Sequence, residues 1–115
     1  MSKALIMLVR VLGLASIILG ALLWAEHQQL LGAHIGIGFL VAIAIFVLSV
    51  IALTKKAVLP GILGVVFAFL LPLIGFMQLP LTFHTMRAIQ VVHIMVALSI
   101  IGLGERLYSA IRSAS

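Results

Sequence analysis

The sequence predicts an all-α membrane protein, a four-transmembrane-helix antiparallel up-down bundle in one domain spanning residues 1–115. Three observations carry this. Hydrophobic residues make up 65% of the 115 and charged residues only 8%, whereas a soluble domain carries about 25% charged residues. The apolar residues fall into four uninterrupted runs, each near the roughly 20 residues that cross a bilayer core at about 1.5 Å per residue. Short polar breaks separate the runs, and connections that short make neighbouring helices antiparallel.

The first run, about residues 4–25, follows a basic start as a signal peptide would. Its apolar body is too long for a signal h-region, and no small-x-small cleavage site precedes Glu26, so it reads as the first spanning helix. Trp24 stands where an interfacial aromatic belongs, and Glu26, His27, Gln28 and Gln29 make a tight polar turn. The second run, about 30–54, is LLGAHIGIGFLVAIAIFVLSVIALT, ending at Lys55 and Lys56. The third, about 58–77, opens with Pro60 in its first turn, where a missing N–H costs nothing. Pro72, deep inside it, removes a ladder bond and predicts a kink toward Gly75. Residues 78–85 are the longest connection, and the fourth run, about 86–104, leads through Glu105 and Arg106 to a short polar tail.

Charge gives the orientation. Lys3, Arg10, Lys55, Lys56, Arg106 and Arg112 lie on one side and only Arg87 on the other, so both termini are expected in the cytoplasm, with a bacterial inner membrane as the setting. The formal net charge of +5 is scattered in ones and twos, which argues against nucleic acid. The chain has no cysteine, which excludes disulfides, thiolate metal sites and iron–sulfur clusters. It has no phosphate loop, no paired carboxylates and no nucleophile with a base beside it, so hydrolytic and phosphoryl chemistry are excluded as well. Arg10 is expected to snorkel to the cytoplasmic surface. A pairing with Glu105, which would fix how helices 1 and 4 meet, is the alternative. Gly61, Gly64 and Ala68 form a small-residue face suited either to helix 1 or to a second copy of the chain in a homodimer.

The four histidines, His27, His34, His84 and His93, all fall at or near the outer ends of helices. An ionisable side chain inside a spanning helix is costly and marks a functional site. His34 and His93 occupy helices 2 and 4, diagonal neighbours in a ring of four, about 6 to 10 Å below the outer interface. Imidazoles facing each other at one depth suit a bis-histidine haem, whose two axial nitrogens approach the iron from opposite faces. Gly38 and Ala97 each follow a histidine by four residues, on the same helical face, and leave room for a flat macrocycle. Gly32 and Gly36 thin helix 2 further. Arg87, with Thr85, His84, Gln90 and His27 nearby in sequence or topology, is the candidate partner for the propionates on the outer side. Met77, Met86 and Met95 are read as packing residues, although a thioether can ligate haem iron.

This arrangement resembles the small membrane-integral b-type cytochromes, in which a four-helix membrane core holds haem between histidines of different helices. The resemblance covers the whole chain in architecture and rests on His34 and His93 with the small residues beside them. It implies one haem b per chain with those histidines as axial ligands, and electron exchange with a quinone in the lipid or a redox partner on the outer face. Many such proteins stack a second haem deeper in the bundle. The corresponding stretches here, 46–53 and 102–107, contain no histidine, so a single haem is expected. The alternatives are a non-catalytic accessory or assembly subunit, a zinc or copper site gathered from the four histidines and Glu26, and a small transporter. The last resembles the four-helix multidrug exporters, but those need an acidic residue in helix 1, where this chain has Arg10.

Overall fold

The computed structural model describes residues 1–24, 28–77 and 83–114, and their side chains apart from those of residues 24, 28, 77 and 83–87. The elements are α1 (Ser2–Trp24), a 3-10 turn (Gln28–Leu30), α2 (Leu31–Thr54), α3 (Val58–Met77) and α4 (Phe83–Ser113), with no strand among the described residues. Each of the four α-helices is long and apolar enough to cross a membrane. Large apolar side chains such as Leu14, Leu40, Val66, Phe69 and Met95 point outward, as a lipid-facing surface requires.

Local chemistry sets the boundaries. At the end of α2 the amide of Ala57 donates to the Ala52 carbonyl at 2.9 Å and that of Lys56 to the Leu53 carbonyl at 3.0 Å. This is the Schellman pattern, with Lys56 at φ 63° in the left-handed position that glycine usually takes. The tight reversal lets α3 begin at Val58 with Pro60 in its first turn. Helix α3 continues through Pro72, leaving the Ala68 carbonyl without its usual ladder partner.

Helix α4 differs from the sequence expectation. It does not stop near residue 104 but runs to Ser113, because Ile100, Leu103, Leu107 and Ile111 recur at helical spacing and all are buried.

The tight core lies in the half of the bundle away from the histidines. Ile6, Val9, Ile45, Leu48 and Leu107 are sealed there. Three glycines make the approach possible. A Cβ on Gly104 would stand 3.1 Å from Val9 and 3.2 Å from Ile45, and one on Gly61 would stand 2.6 Å from Leu53. One on Gly64 would collide with the Ser49 hydroxyl. Gly61 and Gly64 therefore face α2 and α4, and Ala68 is buried inside the chain with them, so this small-residue face packs neither on α1 nor on a second copy. Helices α2 and α4 touch each other across the bundle and each touches both remaining helices, while α1 and α3 make no contact among the described residues.

Arg10 takes the alternative expected of it. Its Nε donates to Glu105 Oε1 at 2.6 Å and its Nη2 to Oε2 at 2.9 Å, a two-point pair joining α1 to α4. Both side chains are 45% exposed. Such pairing is how a spanning segment tolerates charge.

The glycine contacts are testable by reversible unfolding in mixed micelles. Gly64→Ala should cost about 1–3 kcal/mol through overpacking against Ser49, whereas Gly102→Ala, where the added methyl meets open space, should cost nothing measurable.

Candidate functional site

Above the tight core the helices part around a cavity of about 280 Å³ lined by residues of α1, α2, α3 and α4, at the small end of ligand-site volumes. The reason is compositional. Gly13, Ser16 and Gly20 of α1, Gly38 of α2, Gly75 of α3 and Ala97 of α4 all line it, and such small side chains cannot fill the space between helices.

His34 and His93 both line this cavity, half-buried, with ring centroids 6.1 Å apart and planes at 77°. Neither ring is turned out to the lipid. Each is backed by a glycine of the preceding helix in matching geometry. A Cβ on Gly20 would stand 3.3 Å from Cε1 and 3.8 Å from Nε2 of His34, and one on Gly75 would stand 3.3 and 3.8 Å from the same atoms of His93. These glycines let α1 and α3 come close to the rings, with Cε1 the nearest ring atom in each case.

The two rings differ at Nδ1. In His34 it lies 3.4 Å from the Ser16 hydroxyl. In His93 it is buried and has no hydrogen-bond partner among the described residues.

Of the residues selected from sequence, His34, His93, Gly38 and Ala97 are brought together around one space, and Gln90 joins them. Gly32 and Gly36 do not line it and would meet nothing within 4 Å if given a side chain. Met95 faces outward. The side chains of Met77, His84, Thr85, Met86 and Arg87 lie outside the described residues, as do Glu26, His27 and residues 78–82. Gly20, Gly75 and Ser16 were not selected from sequence. The signal that finds the two glycines is the recurrence of a glycine in the helix before each histidine-bearing helix, visible only when α1–α2 is laid over α3–α4.

No group of three or more histidine, cysteine or acidic side chains able to hold a metal ion occurs among the described residues. What the arrangement offers chemically is a pair of neutral-capable nitrogen ligands facing one apolar space, with Gln90 and Ser16 as its polar lining. No protein-family model, curated protein or solved structure matches this chain.

Because the two glycines back their rings alike, Gly20→Val and Gly75→Val should destabilise the bundle by similar amounts, about 1–3 kcal/mol each. Gly36→Val serves as the control without loss, all three being read by unfolding in mixed micelles.

Proposed function

We propose that this chain is a membrane b-type cytochrome that holds one haem b between His34 and His93. The single observation that carries the proposal is the 6.1 Å separation of the two rings inside a cavity shared by four helices. His34 from α2 and His93 from α4 would supply the two imidazole nitrogens that hold the iron.

The residues present fit the group in other respects. Gly20 and Gly75 hold the rings without crowding them, and Gly38 and Ala97, one turn beyond each histidine, leave wall space on the ligand-bearing helices. Neutral imidazole is the form that ligates iron, and the lining around the two rings is largely apolar. When bound, haem supplies a one-electron carrier whose potential is set largely by its axial ligands and their surroundings. Gln90 and Arg87 are the groups we assign to the carboxylates of the cofactor, Arg87 through charge-assisted hydrogen bonds.

The same reading takes the bundle as up-down and antiparallel in a bacterial inner membrane, with both termini in the cytoplasm and the histidines toward the outer face. The contacts of Gly20 with His34 and of Gly104 with Val9 and Ile45 support that order. The charge distribution supports the orientation, with six of the seven Lys and Arg on one side. Electron exchange is then with a quinol in the lipid or a redox partner on the outer face.

The test is a reduced-minus-oxidised visible spectrum of the protein purified in mild detergent after expression with ample haem. Sharp six-coordinate b-type bands are expected, lost in His34→Ala and in His93→Ala and kept in His27→Ala and His84→Ala. A colourless preparation overturns the proposal and leaves the two rings as an edge-to-face contact between helices.

A further inference from the structure

Two serines within the spanning helices are satisfied on their own helix. Ser49 donates to the Ile45 carbonyl at 2.6 Å and Ser99 to the Met95 carbonyl at 2.8 Å, each four residues back on its own helix. Ser16 is different: its Oγ reaches across from α1 to Nδ1 of His34 on α2, at 3.4 Å.

The half of the bundle formed by α3 and α4 repeats the ring and its glycine but not the hydroxyl. Gly75 backs His93 as Gly20 backs His34, to within about 0.1 Å at each ring atom. The residue four before Gly20 is Ser16, and the residue four before Gly75 is Leu71, an apolar side chain that also lines the cavity. Correspondingly, Nδ1 of His93 is buried without a partner among the described residues. The two histidines are alike in position and unlike in what holds them.

We propose that Ser16 is a positioning residue that fixes the ring of His34 and makes it the stronger electron donor of the two histidines, so that the cofactor is held asymmetrically. This rests on the haem reading above. An imidazole that ligates through Nε2 carries its proton on Nδ1, and an acceptor there fixes the tautomer and raises the basicity of the ligating nitrogen. With the proton on Nδ1, Ser16 Oγ, 3.4 Å away, would be that acceptor for His34. A more basic axial nitrogen favours the ferric over the ferrous state, and the hydroxyl therefore holds the potential down. His93, with Leu71 where a hydroxyl would serve, contributes no such bias.

The test uses the full chain, loaded with haem in mild detergent, with the midpoint potential read by spectroelectrochemical titration. Ser16→Ala should weaken the ferric preference about tenfold, which is a rise of about 59 mV for one electron, while Ser16→Thr, which keeps the hydroxyl, should stay near the parent. Leu71→Ser, which offers His93 the missing acceptor, should move the potential the other way, and a rise there counts against the proposal. A haem-loaded parent whose ferric preference changes less than about twofold in Ser16→Ala, or changes equally in Ser16→Thr, overturns this inference alone. A parent that takes up no haem overturns the haem reading and this inference together.

Discussion

The close approach of four helices around Gly61, Gly64 and Gly104 is the contact on which the rest of the bundle depends. In lipid the hydrophobic effect does not drive helices together, so association relies on van der Waals packing, which small residues improve by bringing backbones close. Gly61, Gly64 and Gly104 meet their neighbours in one half of the bundle. There Ile6 and Val9 of α1, Ile45 and Ser49 of α2 and Leu107 of α4 fill the grooves the glycines leave. That half is closed. In the other half Gly13, Ser16, Gly20, Gly38, Gly75 and Ala97 stand among the residues around a space that stays open as a cavity. The same residue type thus produces tight packing or open space, according to whether a bulky neighbour reaches into the gap.

Several polar groups in the spanning segments find partners within the protein. Ser49, Thr54 and Ser99 bond to carbonyls of their own helices, and Arg10 and Glu105 neutralise each other with a two-point contact. Each arrangement removes a polar atom's demand for water in a setting that offers none. A contrast stands at the cavity, where Nδ1 of His93 is buried without a partner among the described residues. Polar groups left incompletely satisfied in otherwise well-satisfied structures mark places where something other than folding decides the residue. The proposed cofactor site and the proposed role of Ser16 both grow from that asymmetry.

Much of the site was legible one residue at a time. His34 and His93 stand out because ionisable side chains are rare in such runs, and Gly38 and Ala97 follow from helical spacing alone. Gly20, Gly75 and Ser16 were not legible in that way. Their role depends on which helix lies over which ring, and no periodicity within α1 or α3 encodes it. The extension of α4 was hidden for a related reason. Gly104, Glu105 and Arg106 read as a break, yet Gly104 packs closely against α1 and α2 and Glu105 is held by Arg10, so tertiary contacts carry the helix through.

The sequence by itself determined that this is a helical membrane protein, how many helices it has, roughly where each begins, and which two histidines are worth attention. Length, apolarity and the scarcity of charge are properties of each segment, and the bilayer acts on each segment alone. Only the tertiary structure decided that Gly61 and Gly64 face inward, that Arg10 meets Glu105, and that the two rings stand 6.1 Å apart over matching glycines. Those facts are relations between helices, set by how side chains from distant parts of the chain fill or fail to fill shared space.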